Sequence, residues 1–470
     1  MSAVVGNRWD TLPVLSAVDA VPTRRVSVCI PARDPGVALD RTLAGLRSQR
    51  YPSALLEVVI SDDASASPIE VDATGLDLVV DRRDGRDGFG AAAARNRAAE
   101  IATGDVLVFL DADVVPSPDF VAAMARWFDQ TDDAVVLGAM RFVDLDGIGA
   151  DEVGRLLLDG GWDDLVRSRR IPGQDWRAGY VAESRGLTVD EVDLFRVVTG
   201  AALAVHPDRF NEVGGFCEVP IRGIEDTELG YRLMANGGIL VPDATALVWH
   251  QGRPTLRGSA ARRNRRERQS TTERLLPVGG FRGPAPVADR GESIAERACV
   301  RVVDDGDGTA ASVIERIRRV GGTDVSVAAV PAIEPRGGFT PAFAQVWCSP
   351  RYAWGPGTLL RLIDELADPE VGRVRVPDPD GGFAVDAYTT RALCRAARHD
   401  DGTPVADRVA RLFGERWVAA ERLDLRPVAD EAASGRVRRR EVWAQRALAR
   451  LRWIGRTGRR RAAAADRGSS

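Results

Sequence analysis

Residues 106–113 read Val-Leu-Val-Phe-Leu-Asp-Ala-Asp. Five consecutive apolar residues with no polar alternation predict a short β-strand that is buried on both faces. The carboxylates of Asp111 and Asp113 follow this strand directly, in a loop where they can bind a hard divalent cation or a sugar hydroxyl. A solvated acidic turn would show the same pattern, so this stretch alone leaves both interpretations open.

Further strands and helices alternate on either side of this stretch. Apolar runs predict strands at 26–30, 55–60, 78–80, 134–137, 239–241 and 246–250, with strand pieces at 194–206. Helical spacing predicts helices at 37–49, 89–102, 118–128 and 225–235. This alternation predicts an α/β fold, Rossmann-like, with a mostly parallel sheet and helices on both faces. Ligands bind beyond the carboxyl ends of strands in such sheets, and Arg33, Asp63 and Asp111 follow predicted strands closely.

Changes in composition along the chain predict five regions. They are an N-terminal arm (1–24), an α/β domain (25–275), a linker containing Pro and Gly (276–297), a second α/β domain (298–430) and a basic amphipathic tail (431–470). In the second domain, Cys348-Ser349-Pro350 follows an apolar run at the place where the first domain has Asp111–Asp113. The second domain is therefore either a degenerate copy of the first, without its acids, or an unrelated α/β cap.

The charges are distributed unevenly along the 470 residues. The net charge is −4, from 64 basic and 68 acidic groups, and every basic group is an arginine, which excludes lysine nucleophiles. Residues 435–470 have a net charge of +10, from twelve arginines against Glu441 and Asp466, which leaves −14 for residues 1–434. The acidic body argues against nucleic-acid binding. The basic segment 436–461, with its Trp and Leu residues, fits either an anionic membrane surface or a solvated tail.

The cysteines and the apolar runs indicate the compartment. Five scattered cysteines form no Cys-x-x-Cys pair, and no signal peptide or run of 18 apolar residues is found. These features predict a cytoplasmic protein that does not span a membrane and that is peripheral at its inner face if the tail binds there.

Three further sites each allow a functional and an ordinary interpretation. Asp63 can accept the N3–H of a pyrimidine base, or it can cap a helix. Glu225 and Asp226 open a predicted helix, where a carboxylate can act as a general base or simply stabilise the first turn. His250 ends a predicted strand and can be a metal ligand or an ordinary buried histidine.

The order and spacing of the motifs are more specific than any single motif. They are Val26–Pro31, Asp62-Asp63-Ala-Ser65, Ala94-Arg95-Asn96, Leu110–Asp113, Thr199-Gly200-Ala-Ala, Val213–Phe216, Gly223–Arg232 and Trp249-His250. Over about residues 24–255 this pattern resembles glycosyltransferase family 2, whose members have the GT-A fold. The resemblance implies inverting transfer of a sugar from a nucleotide diphosphate sugar to a nucleophile, usually a hydroxyl.

The resemblance also implies roles for individual residues. Asp226 matches the catalytic general base, and Asp113 and His250 match ligands of Mn²⁺ or Mg²⁺, the histidine in only some members. The donor-binding positions are matched by Pro31, Arg33, Asp63, Arg95, Asp111, Asp113 and Glu225. The chain departs from the family at Arg33-Asp34, where a Tyr-Asn pair is frequent, and at Ala64, where glycine is frequent.

The implied activity includes a donor and an acceptor. A UDP-sugar is favoured as donor, with a dTDP-sugar as the other choice, and the acceptor is a glycan or lipid-linked hydroxyl in cell-surface polysaccharide or glycoconjugate synthesis. The arginine-rich stretch 252–274 is expected to close on the diphosphate.

Two other functions compete with this activity. The first is a non-catalytic nucleotide-sugar-binding or scaffold protein. The second is a nucleotidyltransferase, against which stands the lack of a phosphate loop rich in glycine and lysine.

Overall fold

The computed structural model describes residues 4–14, 16–84, 90–172, 176–189, 191, 193–218, 223–252, 275–277, 297–304, 309–321, 325–330 and 339–428. These residues form two compact units. The first unit contains the described residues up to 277 with short segments at 339–341 and 397–399, and the second contains the others. The predicted loop 253–274, most of the predicted linker and the predicted tail lie outside the described residues.

The first unit is built on an eight-stranded sheet. Its strands are β1 (Val26–Ala32), β2 (Leu56–Asp62), β3 (Asp77–Arg82), β4 (Val106–Leu110), β5 (Val114–Pro116), β6 (Ala134–Val143), β7 (Ala202–Val205) and β8 (Ile239–Gln251). They are arranged in the order β3-β2-β1-β4-β7-β6-β8-β5. Neighbours are parallel except where β7 pairs with β4 and β6, and where β5 pairs with β8. The predicted mostly parallel α/β fold is therefore confirmed.

Helices cover both faces of this sheet. They are α1 (Val37–Arg47), α2 (Ala91–Ile101), α3 (Phe120–Ala125), α4 (Ala150–Asp159), α5 (Trp162–Ser168), α6 (Trp176–Glu183), α7 (Pro207–Glu212) and α8 (Glu225–Ala235). On one face, Val108 of β4 packs in a core with α1 and α3. On the other face, the ring of Phe109 lies 5.1 Å from that of Phe210 in α7. The strand has no polar alternation because both faces are buried.

Two parts of the first unit are more ordered than their sequence indicates. The irregular, charge-rich region after β6 contains α4, α5 and α6, and α4 buries Val153 and Leu157 on one side. The predicted arm also packs: Asn7 is fully buried, and its side chain accepts from the backbone N–H of Leu240 and donates to the Leu240 and Leu187 carbonyls. One amide side chain thus satisfies both backbone groups of a residue in β8.

The second unit has its own α/β core, which confirms the predicted second α/β domain. Its strands are β9 (Ala298–Val303), β10 (Val325–Val330), β11 (Ala344–Cys348), β12 (Tyr352–Trp354), β13 (Arg373–Pro377), β14 (Phe383–Thr389), β15 (Glu415–Trp417) and β16 (Leu425–Pro427). Its helices are α9 (Thr309–Gly321), α10 (Thr358–Leu366), α11 (Thr390–Arg398) and α12 (Val405–Phe413). Six strands form a sheet in the order β10-β9-β11-β14-β13-β15, while β12 pairs with β16. No described helix is long and apolar enough to cross a membrane.

Candidate active site

The carboxyl ends of β1, β2 and β4 lie together at one edge of the first sheet. Val28 is opposite Val58 and Val108 in parallel pairing, so the loops that leave these strands start at similar heights. Asp63 and Asp111 begin two of these loops. The fold therefore collects polar residues at the edge where open α/β sheets bind ligands.

A buried arginine holds three carboxylates at this edge. Arg95 of α2 is only 3% exposed, and its Nη2 lies 2.7 Å from Asp111 Oδ1. Its Nη1 lies 3.4 Å from Asp226 Oδ1 and 3.8 Å from Glu225 Oε1. Burial alone would lower the pKa of Arg95, but the attraction of Asp111, Asp226 and Glu225 outweighs burial and raises it. A fixed positive charge thus joins the predicted base to the first acid of the Asp111–Asp113 motif.

Gly200 allows the backbone to approach this arginine. A Cβ atom at residue 200 would lie 2.6 Å from Arg95 Cζ and 2.9 Å from Asp226 Oδ1, which is closer than such atoms can come. On another side, the guanidinium lies 5.2 Å from the centre of the Phe216 ring. The glycine is required by packing around the charged cluster.

Glu225 and Asp226 begin helix α8 but differ in environment. Glu225 is 7% exposed, and its Oε2 accepts the Gly223 N–H at 2.6 Å. Burial, followed by repulsion from Asp226, raises the pKa of Glu225. The side chain of Asp226 is 19% exposed, with Thr199 Oγ1 3.5 Å from its Oδ2. Asp226 is therefore the member of the pair that a substrate can reach, while Glu225 supports the start of the helix.

Asp113 and His250 lie side by side because β5 pairs with β8. Val114 is opposite His250 in the antiparallel register, and the Gln251 N–H donates to the Asp113 carbonyl at 2.9 Å. His250 Nε2 lies 3.5 Å from Asp113 Oδ2, and its ring stacks on Phe142 with centres 5.0 Å apart. Nδ1 lies 3.2 Å from the Gln251 carbonyl oxygen, so in the tautomer that carries its hydrogen on Nδ1, Nε2 has a lone pair for a metal ion.

An oxygen and a nitrogen donor at this separation fit one divalent cation. Nowhere among the described residues do three or more His, Cys, Asp or Glu side chains form a metal-binding group. Asp113 and His250 would therefore need further oxygen ligands, such as those of a diphosphate. Mn²⁺ and Mg²⁺ commonly bind with few protein ligands and substrate phosphate oxygens.

The two predicted acids at the end of β2 have different roles. Asp62 is fully buried, accepts the Ser65 N–H at 2.8 Å and pairs with Arg82 at 2.9 Å, so it orders the turn. Asp63 Oδ1 accepts from Arg83 Nη1 at 2.7 Å, and its Oδ2 accepts the Gly90 N–H at 2.9 Å. Asp63 therefore does not cap a helix but joins the β2 loop to residues on either side of 85–89.

The remaining predicted donor residues lie on the neighbouring loop. Pro31 is partly buried in β1, opposite Ser61, and Arg33 is exposed just after the strand. The Asp34 N–H donates to Ser65 Oγ at 2.9 Å, which ties the β1 and β2 loops together. Ala64 has a φ of 57°, a left-handed conformation that explains why glycine is frequent at this position.

The structure thus brings Arg95, Asp111, Glu225 and Asp226 into one cluster, and Asp113 and His250 into a pair. Arg83 was not predicted from the sequence, because no motif includes it. Its place three residues after the strand predicted at 78–80 is the signal that could have identified it.

Part of the first unit is similar in sequence to a known protein family. Residues 27–153 match the family model described as glycosyl transferase family 2. A pre-mycofactocin glycosyltransferase of Mycobacterium tuberculosis is 31% identical over 248 residues, covering 51% of this chain and 45% of that protein. A hyaluronan synthase of Pasteurella multocida is 26% identical over 243 residues, covering 49% of this chain and 25% of that protein. This chain therefore spans less than half the length of either relative.

Among solved structures, a mannosyltransferase of Pyrobaculum calidifontis in complex with GDP-Man and Mn²⁺ is 20% identical, with a TM-score of 0.37. The match covers 59% of this chain and 70% of that one. The match to the family model lies within the α/β unit that contains Arg95, Asp111 and Asp113. Residues 27–153, which lie within the first unit, are therefore similar to glycosyl transferase family 2.

Proposed function

We propose that the protein is an inverting, metal-dependent glycosyltransferase that uses a nucleotide diphosphate sugar. The cluster of Asp226, Arg95 and Asp111 is the observation that carries this proposal, together with the Asp113–His250 pair, which begins two residues after Asp111. It combines a reachable carboxylate with a fixed positive charge and a two-ligand cation site. A non-catalytic scaffold would have no need to hold the base by a buried arginine.

Each residue of the candidate site has its own role in the proposed reaction. Asp226 accepts the proton of the acceptor hydroxyl as that oxygen bonds to the anomeric carbon, and the bond from this carbon to the diphosphate breaks on the opposite face. One such displacement inverts the anomeric configuration. Arg95 orients Asp226 through the contact at 3.4 Å. A bound Mn²⁺ or Mg²⁺, held by Asp113 and His250, would neutralise negative charge on the departing diphosphate.

A UDP-sugar is the favoured donor, with a dTDP-sugar as the alternative. Asp63 lies at the carboxyl end of β2, where its carboxylate can accept the N3–H that uracil and thymine share. The Arg83 guanidinium on the same carboxylate is a donor that the adjacent base carbonyl can accept from. Pro31 and Arg33 lie on the neighbouring loop, on the side proposed for base and ribose.

The acceptor is proposed to be a hydroxyl of a glycan or of a lipid-linked glycan. Two relatives are named as synthases of the polysaccharides hyaluronan and chondroitin, which supports this class of acceptor. The basic segment 436–461 supports reaction at the inner face of a membrane, where a lipid-linked acceptor would be presented.

Donor turnover tests the proposal. Purified protein is assayed for release of nucleotide from a panel of UDP- and dTDP-sugars, with Mn²⁺ and with EDTA. Asp226→Asn should lower turnover at least about 100-fold, because general base catalysis typically contributes that much. It should leave UDP binding unchanged. Asp151→Asn, which alters an exposed acid in the first turn of α4, is the matched control. Absence of turnover with every donor would favour the scaffold interpretation.

A further inference from the structure

The two units repeat one pattern of strand order and direction. From β2, the first sheet runs β2-β1-β4-β7-β6-β8, and the second runs β10-β9-β11-β14-β13-β15. The successive pairings are parallel, parallel, antiparallel, antiparallel and parallel in both. The short strands also agree, since β5 pairs antiparallel with β8 and β12 pairs antiparallel with β16.

The residue registers agree as well. Val26 is opposite both Leu56 and Val106, and Ala298 is opposite both Val325 and Ala344. Residues 106–137 correspond to 344–375 at a constant offset of 238 positions. Helix α3 begins at Phe120 and α10 begins 238 positions later, at Thr358. Two unrelated α/β units would not share these registers and an ungapped strand–turn–helix–strand segment.

This correspondence corrects the predicted alignment of the acidic motif. Asp111–Asp113 corresponds to Ser349–Arg351, and not to Cys348–Pro350 as the sequence pattern indicates. The backbone is retained at this point: the Gln251 N–H donates to the Asp113 carbonyl at 2.9 Å, and the Val428 N–H donates to the Arg351 carbonyl at 2.8 Å.

The described positions of the second unit that correspond to Asp111, Asp113 and His250 hold other side chains. Asp111 and Asp113 are replaced by Ser349 and Arg351, and Pro427, which is opposite Tyr352, takes the place of His250. A guanidinium, which lies 3.4 Å from Asp380, thus replaces a metal-binding carboxylate. A second cation is repelled from a site that already contains an arginine.

The helix that supplies Arg95 also has no room in the second unit. In the first unit, 43 residues (63–105) separate β2 from β4 and include β3 and α2. In the second unit, 13 residues (331–343) separate β10 from β11. Thirteen residues are too few for a strand and an eleven-residue helix with their connections.

The position of Gly200 is filled by an aromatic residue. Leu110 is opposite Ala202, and the corresponding Cys348 is opposite Val385, so Phe383 corresponds to Gly200. The centre of the Phe383 ring lies 3.8 Å from Arg375 Cζ. By count along the chain, an aromatic residue therefore takes the sequence position of the glycine that the cluster around Arg95 requires in the first unit.

Phe383 belongs to a cluster of side chains that includes an exposed indole. The Arg375 guanidinium contacts both the Phe383 and the Trp417 ring, with its Cζ 4.3 Å from the Trp417 ring centre, and the two ring centres are 6.0 Å apart. Glu415 holds this cluster by hydrogen bonds: it accepts from Trp417 Nε1 at 2.8 Å and from Arg373 Nη1 at 2.8 Å, and lies 3.4 Å from Arg375. Trp417 nevertheless remains 55% exposed.

We propose that the second unit is a retired copy of the donor-binding fold whose former reaction centre now binds a saccharide ring on Trp417. A pyranose has an apolar C–H face and a rim of hydroxyls. A fixed indole bordered by the polar groups of Glu415 and Arg375 matches both features. The identification of the saccharide as an acceptor glycan rests on the proposed function of the first unit.

The extent of the exposed apolar surface favours a ring-sized ligand over a protein. Trp417 is the one large hydrophobic residue that is exposed in the described part of the second unit. A stable protein interface buries about 800 Å² on each partner around an apolar centre. A single indole bordered by charges does not supply such a centre.

Saccharide binding by the full chain tests the new site. The probe is an array of neutral and uronate-containing oligosaccharides, and the strongest binder is then titrated calorimetrically. Trp417→Ala should weaken that binding by about tenfold or more, while Trp417→Phe should retain most of it. Trp176→Ala removes an indole of similar exposure from the first unit and should have no effect. Failure of every oligosaccharide to bind, or equal binding by Trp417→Ala, would overturn the proposal, as would capture of a protein partner at Trp417.

Nucleotide stoichiometry tests the retired copy. Calorimetric titration of the full chain with UDP and Mn²⁺ should give one site per chain, and Asp113→Asn should abolish it. Two sites, or a remaining site in the variant, would show that the second unit still binds donors. Absence of any UDP binding would contradict the proposed function of the first unit while agreeing with a retired second unit.

Discussion

Gly200 places the backbone before β7 against the Arg95 guanidinium. In Gly200→Ala, the new Cβ would lie 2.6 Å from Arg95 Cζ, and because Arg95 is buried it cannot move aside without moving Asp226. We expect donor turnover to fall by about 100-fold, the usual cost of misplacing a catalytic group by about 1 Å. Circular dichroism should show an intact fold. Gly154→Ala, where the nearest atom is 3.9 Å from the new Cβ, should retain activity. Full activity of Gly200→Ala would contradict the packing described for Arg95.

Glu225 makes the stability of the first unit depend on pH. Burial and Asp226 raise its pKa above the usual 4.5, so the folded state holds this proton more tightly than the unfolded chain. The free energy of unfolding therefore falls as the pH rises from 4.5 through the raised pKa, by about 1.4 kcal/mol for each unit of elevation. Glu225→Gln should remove this decrease and gain stability relative to the wild type as the pH rises. Urea unfolding at several pH values measures the difference, and parallel profiles would contradict it.

The sequence identified some of these residues and not others, for a physical reason. Asp111, Asp113 and His250 stand next to strand ends, so their position follows from local pattern and motif spacing. The closeness of Gly200 to Arg95 depends on packing between residues 105 positions apart, which no local pattern contains. The contact of Arg83 with Asp63 likewise requires β2 and β3 to be aligned first.

Strand β5 contributes to the proposed cation site although it has only three residues. Its pairing with β8 sets Asp113 beside His250, so the proposed site depends on this pair of strands and on no single loop. With UDP present, Mn²⁺ should raise the melting temperature of the wild type by mass action. Asp113→Asn should lose most of this increase, and His250→Ala should lose a smaller part because neutral imidazole contributes no charge. Asp164→Asn, an exposed acid in α5, is the control. An undiminished Mn²⁺ effect in Asp113→Asn would exclude it as a ligand.

The elements that the sequence predicts differ in length and environment from those that it does not predict. Strands β1, β2 and β4 and helices α1, α2 and α8 were predicted because each is long or uniformly apolar, and the structure confirms them. Strand β5 is too short to show a pattern. Helices α4 to α6 are interrupted by glycines, such as Gly160 at a φ of 87°, and each buries few side chains. Their sequence therefore resembles a loop.

The whole chain combines two related α/β units of different chemistry. The first unit places carboxylates, an arginine and a histidine at its strand ends. The second unit retains the strand order and registers but has Arg351 and Phe383 at the corresponding points. Sequence comparison could only suggest this relationship, because residues 106–137 and 344–375 share the fold through buried apolar positions and not through the motif that identifies the family.

The uneven charge gives a prediction for the whole molecule. Residues 1–434 have a net charge of −14 and residues 435–470 a net charge of +10, so the body is repelled by an anionic membrane to which the tail is attracted. We expect the full chain to co-sediment with phosphatidylserine vesicles at low salt and to be released at high salt, where the attraction is screened. A 1–434 truncation should stay in the supernatant while keeping its donor turnover. Neutral phosphatidylcholine vesicles are the control for both proteins. Equal sedimentation of the full chain and the truncation would show that the tail does not anchor the protein.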